Sequence, residues 1–488
     1  MAAQKMIQLH LGASQGILTV VKPIHEIYLT SPSRLAQITP PQKAYISMLP
    51  HELLFAIIEA ADSFVAWERI RMLSYSLVSR AFHGIATELL YRKVELRFMQ
   101  TSKSTALLYR SLMANQNLGR HIRQIDAGFE FVRDAQEAKR MVGEAIEILA
   151  SFMELAPLTQ SVTVHPGLVD RIHAELPTII KLAPVKLPNL QQYYLRGCLG
   201  SYIHSIDCFE VLTRATRLET LNISADMYYT GQRPALPDLL ERAASFTTLH
   251  IYDCYDGLEA AAQLIRWPQA LRHVKIEAQA GYGYKTTLNQ LFNALAIHHS
   301  SLETIDIGYM DDKIGPGIDL SHFIALRKLT MSRWSFRDAQ LESCPSLARG
   351  ILAPELKEFV WEFNVNEQSQ PWPMALNESC IAWIHKFGQF AAEQHAKLNR
   401  IVIRFEPEWY GDWGSYPWEA LGPVKRDLAS CGIELHFESS VASKEAYEKV
   451  AQGLRDDAAR WEHSFLDGND IREYFAVIPH QRIAINLH

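Results

Sequence analysis

Leu218-Glu219-Thr220-Leu221-Asn222-Ile223 and Phe246-Thr247-Thr248-Leu249-His250-Ile251 share one outline, with apolar residues at the first, fourth and sixth places. The outline keeps returning. It stands earlier at Ile122–Ala127, Leu158–Val164 and Leu190–Leu195, and later at Leu271–Ile276, Leu302–Ile307 and Leu326–Met331. It ends at Leu356–Trp361, Leu398–Ile403 and Ile433–Phe437. The alternation at the end of each string predicts a strand with one buried face. Between strings, Met141–Met153, Leu236–Ala244, Leu258–Ile265 and Leu288–Ile297 each carry an apolar face at helical spacing. A strand followed by a helix cannot bury its apolar side alone. Stacked neighbours bury it in one continuous core, so the chain is expected to be an α/β solenoid.

Upstream of the strings, Met48–Val94 reads M-L-P-H-E-L-L-F-A-I-I-E-A-A, a break, then L-S-Y-S-L-V-S-R-A-F-H-G-I-A-T-E-L-L-Y-R-K-V. Pro50 suits the first turn of a helix, and Ser47 is available as its cap. Leu53, Leu54, Ile57, Ile58 and Ala61 form one apolar stripe, and Leu73, Leu77, Val78, Phe82, Ile85 and Leu89 a second. So small a unit cannot cover that much apolar surface by itself. Part of it is expected to meet a partner.

Three pieces in order carry a resemblance: Leu49-Pro50-x-Glu52-Leu53-Leu54, then Leu77-Val78-Ser79-Arg80-Ala81-Phe82, then Leu89-Leu90-Tyr91-Arg92. Together they resemble an F-box of the form common in fungal proteins. The connector Asp62–Met72 is long and apolar for a helix–helix turn. The strings behind the box look like a degenerate array of leucine-rich repeats, parallel strands on a concave face and helices outside. Their steps of about 24 to 42 residues overrun the usual 20–29. An Asn or Cys tends to follow the strand in that motif. Cys198, Cys254 and Asn364 stand there, while Asp226, Gln279 and Trp334 occupy the same place in other strings.

The resemblance implies that Leu49, Pro50, Leu53, Leu54, Ile57, Leu77, Val78, Phe82, Leu89 and Tyr91 form a box for the Skp adaptor. Through the adaptor it implies a cullin. It implies a substrate-recognition subunit of a ubiquitin ligase, cytoplasmic or nuclear, that is not itself an enzyme and carries no cofactor. An alternative is a scaffold that binds the adaptor without a cullin. The domain plan expected is an arm and linker over 1–45, the box over 46–97, the solenoid over 98–440, and a cap and tail over 441–488. The cap is an amphipathic helix with Tyr447, Val450, Ala451, Leu454, Ala458, Trp461 and Phe465 on one stripe.

Residues alternating with the core positions should line the face that takes a protein substrate. They are Gln192, Tyr194 and Arg196; Thr220 and Asn222; Thr248, His250 and Tyr252; His273, Lys275 and Glu277. Then come Thr304 and Asp306; Lys328 and Thr330; Glu358 and Glu362; Arg400 and Arg404; Glu434 and His436. The foremost candidates are Tyr194, Arg196, His250, Tyr252, Lys275, Arg400 and Arg404. The string Glu406–Trp418 adds Trp409, Tyr410 and Trp413, residue types that anchor interfaces.

Composition narrows the classes. The chain is 48% hydrophobic and 21% charged with net charge −6, ordinary globular values with no basic excess for nucleic acid. No apolar run reaches the ~18 residues of a membrane span. Gln8 and His10 interrupt any signal-peptide core. Six cysteines without a C-x-x-C suit a reducing compartment. The sequons at Asn222 and Asn377 are read as chance. Gly12-Ala13-Ser14-Gln15-Gly16 has the outline of a nucleophile elbow, and a hydrolase using Ser14 is the third alternative. Too few residues precede it to build the strands it needs, and Ile17-Leu18-Thr19-Val20-Val21 behind it favours a strand where the elbow requires a helix. His204/Cys208 with His250/Cys254 fails as zinc ligation, because four residues of strand span roughly 13 Å. No metal site is expected.

Overall fold

A computed structural model of the chain describes residues 49–62, 72, 74–98, 103–129, 135–165, 176–196, 211–224, 241–252, 258–277, 288–308, 318–336, 344–363, 376, 378–404, 417–438, 443–446, 448–449, 452–453 and 456. The chain divides into two compact units, Met1–Ala86 and Thr87–His488.

In the first unit, α1 spans His51–Asp62. The carbonyl of Pro50 accepts the N–H groups of Leu53 and Leu54 at 3.1 and 3.0 Å. Pro50 therefore stands one place ahead of the first turn, as the cap residue, where a ring that donates no N–H likewise costs nothing. Ser47, the cap expected from sequence, lies outside the described residues. The second expected stripe is not carried by one helix. Leu77 and Val78 sit in a turn, and α2 (Arg80–Arg92) starts afresh beyond Ser79. Ser79 Oγ accepts the Phe82 N–H at 3.3 Å, and its carbonyl accepts that of His83 at 2.8 Å. A serine satisfying the third helical amide is an N-cap, and it resets the helix that spacing alone would run through. The division between units falls inside α2.

The second unit is built on one sheet of 12 strands whose spatial order is their chain order. They are β1 Lys93–Phe98, β2 Gln124–Phe129, β3 Ser161–His165, β4 Gln192–Leu195, β5 Thr220–Ser224 and β6 Thr248–Tyr252. The rest are β7 His273–Ile276, β8 Thr304–Ile307, β9 Lys328–Ser332, β10 Glu358–Glu362, β11 Arg400–Arg404 and β12 Glu434–Glu438. Every pairing is parallel. From Leu190 to Leu398, each strand begins two residues after the first apolar residue of its string. β1 pairs with β2, so the sheet begins at Lys93, inside the range read as box.

Parallel neighbours need a crossover. The described helices lie between strands in the chain: α3 Lys103–Ala114, α4 Ala135–Leu155, α5 Leu176–Lys186, α6 Leu258–Arg266, α7 Leu288–Leu295, α8 Cys344–Ile351, α9 Glu378–Glu393 and α10 Pro417–Ser430. The patterns at 141–153, 258–265 and 288–297 are helical as expected. The one at 236–244 is not helical where it is described, since Ala244 bridges Pro268 instead. The cap helix is described only in fragments from residue 443, with every residue of its stripe outside them, and 1–48 also lie outside the described residues.

One face of the sheet and the helices share a continuous core running from Val94 to Leu435. Polar side chains tie each repeat to the last. Ser301 Oγ donates to the Leu271 carbonyl at 2.8 Å, Ser245 Oγ to that of Ala215 at 3.1 Å, and Asn189 Nδ2 to that of Pro157 at 3.0 Å. Part of this core is an aromatic cluster. Trp383 and Phe387, one helical turn apart on α9, stack at 4.9 Å, and Trp361 of β10 lies 4.8 Å from Trp383. Among the described residues, no helix is long and apolar enough to cross a membrane.

Candidate functional site

Alternation puts every second residue of each strand on the face opposite the helices, and in-register pairing aligns those residues into rows. A middle row runs Asp126, Thr163, Tyr194, Asn222, His250, Lys275, Asp306 and Thr330. It continues through Val360, Val402 and His436. On one side lies a row that includes Lys328, Glu358, Arg400 and Glu434, and on the other a row that includes Glu362, Arg404 and Glu438. Tyr194, His250, Tyr252, Lys275, Arg400 and Arg404 all belong to this face. Arg196 follows β4 directly, exposed, its N–H bonded to the Val164 carbonyl at 2.9 Å.

The structure brings several of them together. Tyr252 Oη lies 3.3 Å from His250 Nδ1, with the rings edge to face at 6.1 Å. Lys275 Nζ stands 5.9 Å from the Tyr252 ring centroid and pairs with Glu277 at 2.5 Å. Arg404 reaches Glu362 at 3.6 Å and Glu438 at 3.0 Å. Across the sheet, Glu358 joins Lys328 at 2.6 Å to Arg400 at 3.3 Å. The Arg404 and Glu358 pairs join neighbouring strands and are held by main-chain register, while His250–Tyr252 runs along β6 and Lys275–Glu277 along β7 and the residue after it.

Burial sets the protonation of the centre. Desolvation, then the Lys275 charge, holds His250 below its ordinary value and so neutral near pH 7. Desolvation raises the Tyr252 phenol. For Lys275, burial pulls downward, but the hydrogen bond and charge of Glu277 outweigh it and leave the amine raised. Desolvation pushes Asp306 up to about 6 and raises Glu362 as well. The patch is thus partly dehydrated around Asp306 and Glu362, and these two are less acidic than usual.

Sequence reasoning missed two features of this face. One lies at its first strands, where Asp126 is 3.2 Å from His165 and 3.9 Å from Arg97. The hydrogen bond from His165 holds the Asp126 carboxyl below its ordinary value. The alternation that named Gln192 onward extends to Asp126 and His165 and was available to find them. The other is Val360 and Val402, which occupy the middle row yet are 0% and 1% exposed. They stand between the two flanking rows of ion pairs and close that end of the row to a polar ligand. Trp409, Tyr410 and Trp413 lie outside the described residues, as does Ser14; helix α10 takes up the last residues of that aromatic string from Pro417.

The first unit presents a second surface. Leu54, Ile58, Met72, Phe82 and Ile85 are buried. Leu53, Ile57, Leu77 and Val78 are 53, 47, 87 and 62% exposed. α1 therefore has two adjacent apolar faces, Leu54/Ile58 turned inward and Leu53/Ile57 turned out. In this unit Leu49 is half-buried and Pro50 is exposed; Leu89 and Tyr91, also half-buried, belong to the second unit, and Tyr91 packs against its core.

The chain matches no protein-family model and no curated protein sequence. Function has to be argued from these two surfaces, one apolar and uncovered, the other charged and partly dehydrated. Among the described residues there is no group of three or more His, Cys, Asp or Glu able to hold a metal ion.

Proposed function

We propose that this chain is a substrate-recognition subunit of a Skp–cullin–F-box ubiquitin ligase. The helical pair of the first unit takes the Skp adaptor, and the polar face of the sheet takes a protein cargo. The repeats are of the leucine-rich kind, irregular in length. The observation that carries the proposal is the outward set Leu53, Ile57, Leu77 and Val78. Four large apolar side chains left in water on so short a segment mark an interaction surface. Covering each contributes roughly 1.5–3 kcal/mol. In this role the chain catalyses nothing itself and raises the local concentration of cargo near a ubiquitin-charged enzyme.

The test is capture of purified Skp adaptor by the full chain. Leu53→Asp with Ile57→Asp abolishes it. Leu107→Asp, at an exposed leucine of α3, leaves it unchanged and controls for altered solubility. Capture by the double variant at wild-type strength would reject the proposal. Recovery of a cullin through the adaptor separates a ligase subunit from an adaptor-bound scaffold.

A further inference from the structure

Where the polar face is most crowded, carboxylates outnumber cations, and Asp306 is the carboxylate left without an ion pair among the described residues. Lys275 is taken by Glu277, and Arg404 by Glu362 and Glu438. Asp306 is flanked in its row by Lys275 on β7 and Thr330 on β9. Among the described residues no cation lies within ion-pairing distance of it. Its Oδ1 is buried and, among the described residues, without a hydrogen-bond partner. A second unmet group stands in the same row. Asn222 is 3% exposed, and its Nδ2 has no acceptor among the described residues. Buried polar atoms in native proteins are almost always partnered, and an exception calls for a reason.

The two orphans are complementary in kind and matched in distance. Asn222 pairs in register with His250, His250 with Lys275, and Lys275 with Asp306. Three steps at the usual strand spacing of ~4.8 Å put them roughly 14 Å apart, which an extended peptide covers in about four residues. One offers an N–H, the other a carboxylate oxygen. Polyphosphate is disfavoured here, since Glu277 and Glu362 face the same patch.

We propose, resting on the reading of this face as the cargo surface, that Asp306 and Asn222 anchor one extended segment of the cargo protein laid along the middle row. A lysine or arginine of that segment pairs with Asp306, and a main-chain carbonyl accepts from Asn222. The segment supplies a cation to a patch in which carboxylates are in excess. Lys275 and Arg404 face Asp306 with Glu277 and Glu362, and the four largely cancel. The cation needs the ionised carboxylate, so its hold weakens as acid protonates Asp306 near its value of about 6.

Three pools of fluorescent octapeptides, random except for a central lysine, arginine or norleucine, test this by polarisation with the full chain at pH 7.5. The lysine and arginine pools bind about tenfold more tightly than norleucine, the scale of one charged hydrogen bond. Asp306→Asn, which keeps the shape, removes the preference, and so does wild-type protein at pH 5. Asn222→Leu weakens all three pools alike. Pools that bind equally, or a preference that survives Asp306→Asn, overturn the proposal. Spermidine bound at Asp306 without any peptide binding makes this a small-cation site and overturns it too. None of these readings involves the adaptor. Lost adaptor capture with the cation preference intact would sink only the ligase assignment.

Discussion

The ring of His298 joins its own repeat to the carbonyl of Ile265 in the repeat before. Nε2 lies 2.7 Å from that oxygen, while Nδ1 accepts the Leu271 N–H at 3.3 Å. The side chain is 1% exposed. Both contacts are met at once only by a neutral imidazole, which donates from one nitrogen and accepts at the other. Desolvation accordingly holds its pKa below the ordinary value.

His298 therefore makes stability depend on acid. The folded pKa is depressed, so its contribution is complete above the unfolded value of ~6.5 and falls away below it as the unfolded chain takes up the proton. Thermal melts of wild type and His298→Leu at pH 8 and pH 5.5 check this. The variant is less stable at pH 8, by about 1–3 kcal/mol for the orphaned Ile265 and Leu271 groups, and the gap narrows at pH 5.5.

Asp306 acts in the opposite sense. Its folded pKa is raised, so ionised Asp306 is a cost that is absent below the unfolded value near 3.8 and complete above about 6. Asp306→Asn should stabilise the protein at pH 8 by on the order of 2 kcal/mol and change nothing at pH 4. Equal melting temperatures at pH 8 would mean that the carboxylate is already well served.

Gly119 fixes how closely one repeat can approach the next. A Cβ there would stand 1.9 Å from the main-chain oxygen of Leu155, the last residue of α4. Backbone cannot step aside as a flexible side chain can. Gly119→Ala should lose about 1–3 kcal/mol of stability in denaturant titration. Gly143→Ala, with open space at its Cβ, should be neutral or slightly stabilising.

The strands were legible because their physics is local. In Phe246-Thr-Thr-Leu-His-Ile251 the buried positions are the apolar ones, and the same spacing gave Tyr194, His250 and Lys275 their common face. Where a polar face is closed by its neighbours, alternation misleads, as at Val360 and Val402. Where a single hydroxyl caps an amide, spacing misleads, as at Ser79, which splits a stripe that looks continuous from Leu73 to Leu89. Nor does alternation show that Asp306 lacks a counter-ion while Glu358 has two. That depends on how three strands are paired, and pairing across a sheet is not written in any one of them.

The central claim is that Leu53, Ile57, Leu77 and Val78 are bare so that an adaptor can cover them. Sedimentation velocity of the full chain mixed with an equal amount of purified Skp adaptor measures it directly. The account predicts one boundary that carries both proteins and moves faster than either alone. Two independent boundaries at tens of micromolar, each at the rate of the isolated protein, would contradict it.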